Sequence, residues 1–290
     1  MRQLLAKLNS EKLKALYVMT PLKLYEERKT FSPEPDLGIH AYGGSHEKEY
    51  FFRTEIDLSK EYKYLLSVDM TDYGYVDGEN LVRSKDNSNT GGLNLRLDDD
   101  SLRHRTLYVE GTINASSFDF GDDDNEKVLL LNLFGVKKKT ELPLFEELLL
   151  EAYSLELEKN YRVSFFSYFA AIEAYVTLQL DPIKVSLFSE LHHALEYLQL
   201  DDKMRLIFKH SSGIADLNKI KLWSEFAGLF KTLKDKRNDI AHGKGVVDIK
   251  LADVHNIFLV VCVLWSFTTN NHMTFDDIRK FIYPKPVKKK

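Results

Sequence analysis

The chain reads as an α+β protein, a β-rich domain over residues 1–135 followed by an all-α bundle over residues 136–290. Two changes of pattern predict this. Before residue 135, Gly and Asn-Asp clusters separate short apolar runs, as turns separate strands. After it, apolar residues recur at three- and four-residue spacing almost to the end. A chain of 290 residues that is 44% hydrophobic and 29% charged is long enough for two domains with cores of their own.

Taken in order, Leu4–Leu16 is expected to be a helix. Glu49-Tyr50-Phe51-Phe52, Tyr64-Leu65-Leu66-Ser67-Val68, Leu93-Asn94-Leu95-Arg96-Leu97 and Thr106-Leu107-Tyr108-Val109 read as strands of a sheet with mixed topology. Leu and polar residues alternate in the third run, which predicts one wet face. In the second half, Phe145, Leu148, Leu149, Ala152 and Leu155 form one helical stripe. Tyr161–Leu180 is apolar on nearly every side, the pattern of a central helix. Asp181-Pro182 predicts a fresh helix start with Pro at the first position. Helices are then expected over Ile183–Leu200, Asp201–His210, Leu222–Ala241, Leu251–Phe267 and Phe275–Ile282.

Composition narrows the function classes. The single cysteine, Cys262, lies in an apolar run, which excludes a disulfide framework and a thiolate metal site and fits a reducing cytoplasm. The longest strongly apolar stretch, Ile257–Phe267, falls short of the roughly 20 residues that span a bilayer. Glu11 and Lys12 interrupt any signal-like core. A cytoplasmic protein without a membrane partner is therefore expected. No cofactor or metal is expected either. Gly43-Gly44-Ser45-His46 and Gly91-Gly92 lack the Lys-Ser/Thr of a phosphate loop. Asp98-Asp99-Asp100 and Asp122-Asp123-Asp124 lack the alternating ligands of a calcium loop, and His192-His193 fits no common zinc spacing.

The stretch that carries chemistry is Lys236-Arg237-Asn238-Asp239-Ile240-Ala241-His242-Gly243. It brings together a guanidinium, whose planar fork of donors suits phosphate, an amide, and an imidazole that titrates near neutral pH. Arg followed five positions later by His is not specific by itself. Arg205 and His210 repeat it around Leu-Ile-Phe-Lys, a filling that reads as a core-facing turn. Context singles out Arg237: Asn238 follows it, Gly243 follows the His, and Phe226, Phe230, Leu233 and Arg237 share one helical stripe. Lys234, Lys236, Arg237 and His242 also suit a helix C-terminus on purely structural grounds.

Arg237, Asn238 and His242 together resemble the signature of the HEPN superfamily (higher eukaryotes and prokaryotes nucleotide-binding domains): Arg, a polar residue, then His a few positions on. The phrase Arg-Asn-Asp-Ile-Ala-His-Gly is most similar to the Apea-like and abortive-infection branches. The resemblance covers about the last 150 residues. It implies a four- or five-helix bundle, metal-independent endoribonuclease activity on RNA, with tRNA one candidate, and a homodimer that joins two motifs. A toxin or anti-phage effector is the corresponding role; the alternative is a non-catalytic RNA-binding or scaffold module. Position 244, where a regulated Tyr stands in many family toxins, is Lys244, so that form of control is not expected.

Within that reading, Arg237 holds the phosphate, His242 moves protons and Asn238 fixes the geometry, with Lys236 as a phosphate contact or a solvent-facing side chain. Five residues of ideal helix turn through about 140° and rise about 7.5 Å. Arg237 and His242 therefore share a face only if the helix ends early; otherwise they act across a dimer. Glu173, the one charged residue between Arg162 and Asp181, needs a partner if buried; it either orients Arg237 or an imidazole, or lies on a polar edge or in a structural ion pair. Residues 1–135 hold 17 Lys and Arg against 24 Asp and Glu, and residues 136–290 hold 23 against 20. The helical half is thus the one phosphate approaches more readily, and the acidic half suits a sensor or a mask.

Overall fold

The computed structural model describes residues 25–31, 39–40, 47–77, 80–83, 93–96, 104–116, 127–243, 248–269 and 274–282. It divides into a β unit over Lys23–Thr140 and a helical unit that takes in the chain from Glu141 onward. The expected boundary at residue 135 is displaced. The last strand runs on to Lys137 because Val136 is fully buried, and it stops where Lys138 and Lys139 reach solvent. The helix expected at Leu4–Leu16 and the wet face expected for Leu93–Leu97 lie outside the residues and side chains described.

In the β unit, strands β1 (Tyr25–Phe31), β8 (Lys127–Lys137), β4 (Tyr62–Asp77) and β5 (Asn80–Arg83) form one sheet in that order. Strands β2 (Ile39–His40), β3 (Glu47–Asp57), β7 (Thr106–Ser116) and β6 (Leu93–Arg96) form the other. Every described pairing is antiparallel, which corrects the mixed topology expected from sequence. Connections as short as the two residues between β4 and β5 allow no other pairing, since parallel neighbours need a long crossover.

The pairing of β4 with β8 shifts register three times, between Tyr62 and Tyr64, Leu65 and Ser67, and Met70 and Asp72. Each shift is a bulge that upsets the two-residue alternation. Leu65, Leu66, Ser67 and Val68 are consequently buried in succession. Gly135 pairs with Leu65 between two of these bulges. A Cβ there would lie 2.3 Å from the Tyr64 carbonyl oxygen, so only glycine fits. Gly135→Ala is expected to cost about 1–3 kcal/mol, as overpacking does, read as a lowered denaturation midpoint of the β unit; an unchanged midpoint contradicts the close approach.

The helical unit comprises α1 (Leu144–Leu157), α2 (Tyr161–Val185), α3 (Ser189–Glu196), α4 (Leu200–Ser212), a single 3-10 turn (Leu217–Lys219), α5 (Lys221–Ala241), α6 (Leu251–Thr268) and α7 (Phe275–Ile282). Central α2 packs against α1, α4 and α6. Phe145, Tyr175 and Trp265 join α1, α2 and α6 through ring contacts. Burial pushes the Tyr175 hydroxyl up to about 12, against the opposing pull of its hydrogen bond with Thr268. In α1 the stripe is Phe145, Leu149, Ala152 and Tyr153, with Leu148 and Leu155 half-buried at its edges.

Two expectations about this unit are corrected. Asp181-Pro182 starts no helix: α2 continues through Pro182 to Val185. The backbone donor that proline lacks would have served the carbonyl of Leu178, one exposed turn back, where water can replace it. The helix expected over Ile183–Leu200 breaks instead at Ser186. Its hydroxyl turns back to donate to the Ile183 carbonyl at 2.7 Å, and only short α3 follows. By length and composition alone, α2 and α6 are apolar enough to cross a membrane. Both are core helices of the bundle, with half or more of that apolar length buried, and Asp253, His255 and Asn256 extend α6 beyond its apolar run.

Candidate functional site

The candidate site is organised by α5. Phe226, Phe230 and Leu233 are buried along one side of it. Phe230 meets Phe169 of α2 with ring centroids 5.8 Å apart, and Phe226 meets Phe208 of α4 at 5.0 Å. Arg237 continues this stripe by a further helical step and comes out at the edge of the core, with 37% of its side chain exposed.

There the guanidinium meets two of the residues singled out from sequence. Its Nη2 lies 3.5 Å from Glu173 Oε1, and its Nη1 donates to Asn238 Oδ1 at 3.2 Å. Glu173 is 49% exposed, on the rim of α2, the polar edge that was one of its expected settings. It is both the partner of Arg237 and an ion pair at a polar edge. At 3.5 Å and this exposure the pair is weak, of the order of 0–1 kcal/mol, and it leaves part of the guanidinium facing solvent.

The neighbouring cations are bound more closely. Lys234 Nζ contacts Asp201 Oδ2 of α4 at 2.7 Å, and Lys236 Nζ contacts Asp253 Oδ2 of α6 at 2.7 Å. The same Asp253 oxygen accepts the backbone N–H of Lys250 at 2.9 Å, closing the first turn of α6. Lys236 is therefore a clamp between two helices in addition to a basic residue beside the motif.

His242 is the C-cap residue of α5 and is exposed. Its backbone N–H donates to the Asn238 carbonyl at 2.9 Å. With φ −92° and ψ 5° it stays close to the helical path, and Gly243, at φ +66°, turns the chain out of the helix. The helix thus persists up to the motif His. Arg237 and His242 of one copy lie about 140° apart around α5, and among the described residues the imidazole has no hydrogen bond or ion pair.

No family model, curated protein or solved structure matches the chain.

Other residues weighed from sequence have structural settings. The His192 ring nitrogen Nε2 is bonded to the Lys184 carbonyl at 2.8 Å, and the His193 ring lies against Tyr197. Among the described residues there is no cluster of His, Cys, Asp and Glu that could hold a metal. Cys262 is buried. Two arrangements had no sequence signal, because each joins residues from separate helices. One is the Glu156 carboxylate, which accepts from Tyr168 Oη at 3.2 Å and lies 3.4 Å from His255 Nε2. The other is a cavity between α4 and α5.

The two clamps differ in what they hold. Glu173→Gln is expected to leave thermal stability within about 0.5 kcal/mol of wild type, as loss of an exposed pair does. Asp253→Ala loses the Lys236 partner and a helix-start hydrogen bond together, with an expected cost of about 1–2 kcal/mol. Equal effects in parallel thermal melts would contradict this division.

Proposed function

We propose that residues 136–290 form a HEPN-like bundle that acts as a metal-independent endoribonuclease, working as a homodimer. The observation that carries this reading is the setting of Arg237: core packing ends at it, its guanidinium is held by Glu173 and Asn238, and it stays partly open while Lys234 and Lys236 are engaged elsewhere. An exposed His242 stands at the end of the same helix. A half-exposed guanidinium on the same helix as an exposed imidazole suits phosphodiester transfer, in which negative charge grows on phosphorus oxygens while protons are exchanged.

In this reaction the 2′-oxygen of the RNA bonds to phosphorus and the bond from phosphorus to the 5′-oxygen breaks. The His242 of the other copy takes the 2′-hydroxyl proton and, as the imidazolium, gives it to the departing 5′-oxygen. Arg237 holds the phosphate, and Asn238 keeps the guanidinium in place. The helical separation of Arg237 from His242 supports a composite site, with each motif completed by the other subunit. The products are a 2′,3′-cyclic phosphate and a 5′-hydroxyl, and DNA, lacking the 2′-hydroxyl, is not cut. A cytoplasmic toxin or anti-phage effector acting on RNA such as tRNA, with the acidic β unit as sensor or mask, is the corresponding role.

A second reading is a non-catalytic RNA-binding or scaffold module. The Glu173–Arg237 pair favours it to the extent that this pair is one more structural clamp beside those of Lys234 and Lys236. Full-length wild type, Arg237→Ala and His242→Ala proteins, incubated in EDTA with total RNA and labelled tRNA, separate the two. The ribonuclease reading expects cyclic-phosphate ends from wild type and at least a hundredfold loss in each variant. Full activity in the His242→Ala protein removes the mechanism, and RNA binding without cleavage by any of the three supports the module.

A further inference from the structure

Between α4 and α5 lies a cavity of about 360 Å³, inside the range of roughly 300–1,000 Å³ in which small ligands are held. Phe226, Phe230 and Met204 form a buried apolar floor, and Trp223 contributes to the wall. The Arg205 guanidinium lies 6.0 Å from the centre of the Trp223 ring. Arg205 thus covers one side of this space.

Three features mark the cavity as a place for a ligand. Gly228 stands in the middle of α5, where glycine disfavours helix, yet nothing lies within 4 Å of where its Cβ would be, so packing does not call for it. Its effect is to keep the cavity wall low. Asp201 and Lys234, paired at 2.7 Å, border the cavity and give it a polar side. The cavity also leads toward the motif. Lys231 and Asp235 line it, and with Asn238 and His242 they follow i, i+4, i+7, i+11 spacing, a single row about 60° wide along α5.

We infer that this cavity receives one unpaired nucleobase of the RNA strand on which His242 acts, an inference that rests on the ribonuclease reading. A base is a flat, mostly apolar ring system, which an exposed guanidinium such as that of Arg205 takes up by stacking. Its edge carries N–H donors, which the exposed carboxylate of Asp235 on the lining accepts. Arg205 and Lys231 at the rim meet the flanking phosphates. The base sits about 10–16 Å along α5 from His242, so it is removed from the cleaved bond and fixes which stretch of strand reaches the motif. Bases paired in a duplex are closed to such a cavity, which makes single-stranded loops and ends the substrate class.

The test is direct binding of single-stranded RNA hexanucleotides of each base, and of the same strands annealed to their complements, to full-length His242→Ala protein with and without Gly228→Leu. The leucine enters the cavity from a position that is sterically free, so the melting temperature is expected to hold or rise. Single strands are expected to bind at least tenfold more weakly once Gly228→Leu is present, with weak duplex binding unchanged. Arg205→Ala, which only removes the covering cation, is expected to weaken single-strand binding severalfold and decides the matter if the leucine variant fails to fold. Equal single-strand affinity with and without these changes overturns the assignment, as does absence of single-strand binding to every protein. Failure of the ribonuclease reading looks different: wild type cuts no RNA while single strands still bind through the cavity.

Discussion

The packing of Phe226, Phe230 and Leu233 against α2 and α4 fixes the rotation of α5, and the placement of every candidate functional group follows from that rotation. With this stripe buried, Arg237 must emerge at the rim of the core beside Glu173, and Lys236 must face α6 and meet Asp253. Lys231, Asp235, Asn238 and His242 are carried to the side that borders the cavity with α4. A helix held by three large apolar side chains cannot rotate by 100° without exposing them, at several kcal/mol. The geometry of the site is thus a consequence of hydrophobic packing one to three turns away.

The ion pairs act on a smaller scale. Lys234 to Asp201 and Lys236 to Asp253 tie the two flanks of α5 to α4 and α6, and because they are partly exposed their worth lies more in holding position than in stability. They also engage Lys234 and Lys236, while the guanidinium of Arg237, loosely held, stays partly open to an incoming phosphate.

What was legible in the sequence depended on whether the signal lay within one element. The motif helix was readable because Phe226, Phe230 and Leu233 repeat at helical spacing and Gly243 ends the run; its observed span, Lys221–Ala241, differs from the expected one by a single residue. The end of α2 was misread because Asp-Pro is a strong start signal by local rules, while the helix tolerates Pro182 one turn from its C-terminus. Strand β8 was missed because Leu131, Leu133, Phe134 and Val136 are buried on both sides of their bulged pairing with β4, which removes the alternation that marks a strand. The Glu173–Arg237 contact was foreseen as one of two options, since a lone carboxylate in an apolar helix needs a partner. Its place on a polar edge was the other option, and sequence left the choice open because the position of a helix rim is set by its neighbours. The cavity between α4 and α5 left no trace in the sequence beyond an unexplained glycine.

The composite site proposed across two copies is the central claim, and the angle between Arg237 and His242 on an unbroken helix is what supports it. Mixing inactive Arg237→Ala and His242→Ala proteins tests it most directly. In a mixed dimer one of the two composite sites keeps both an intact Arg237 and an intact His242. At equal mixing, with free exchange of subunits, the account predicts recovery of about a quarter of wild-type RNA cleavage. A mixture no more active than either variant alone, while mixed dimers are present, would contradict it.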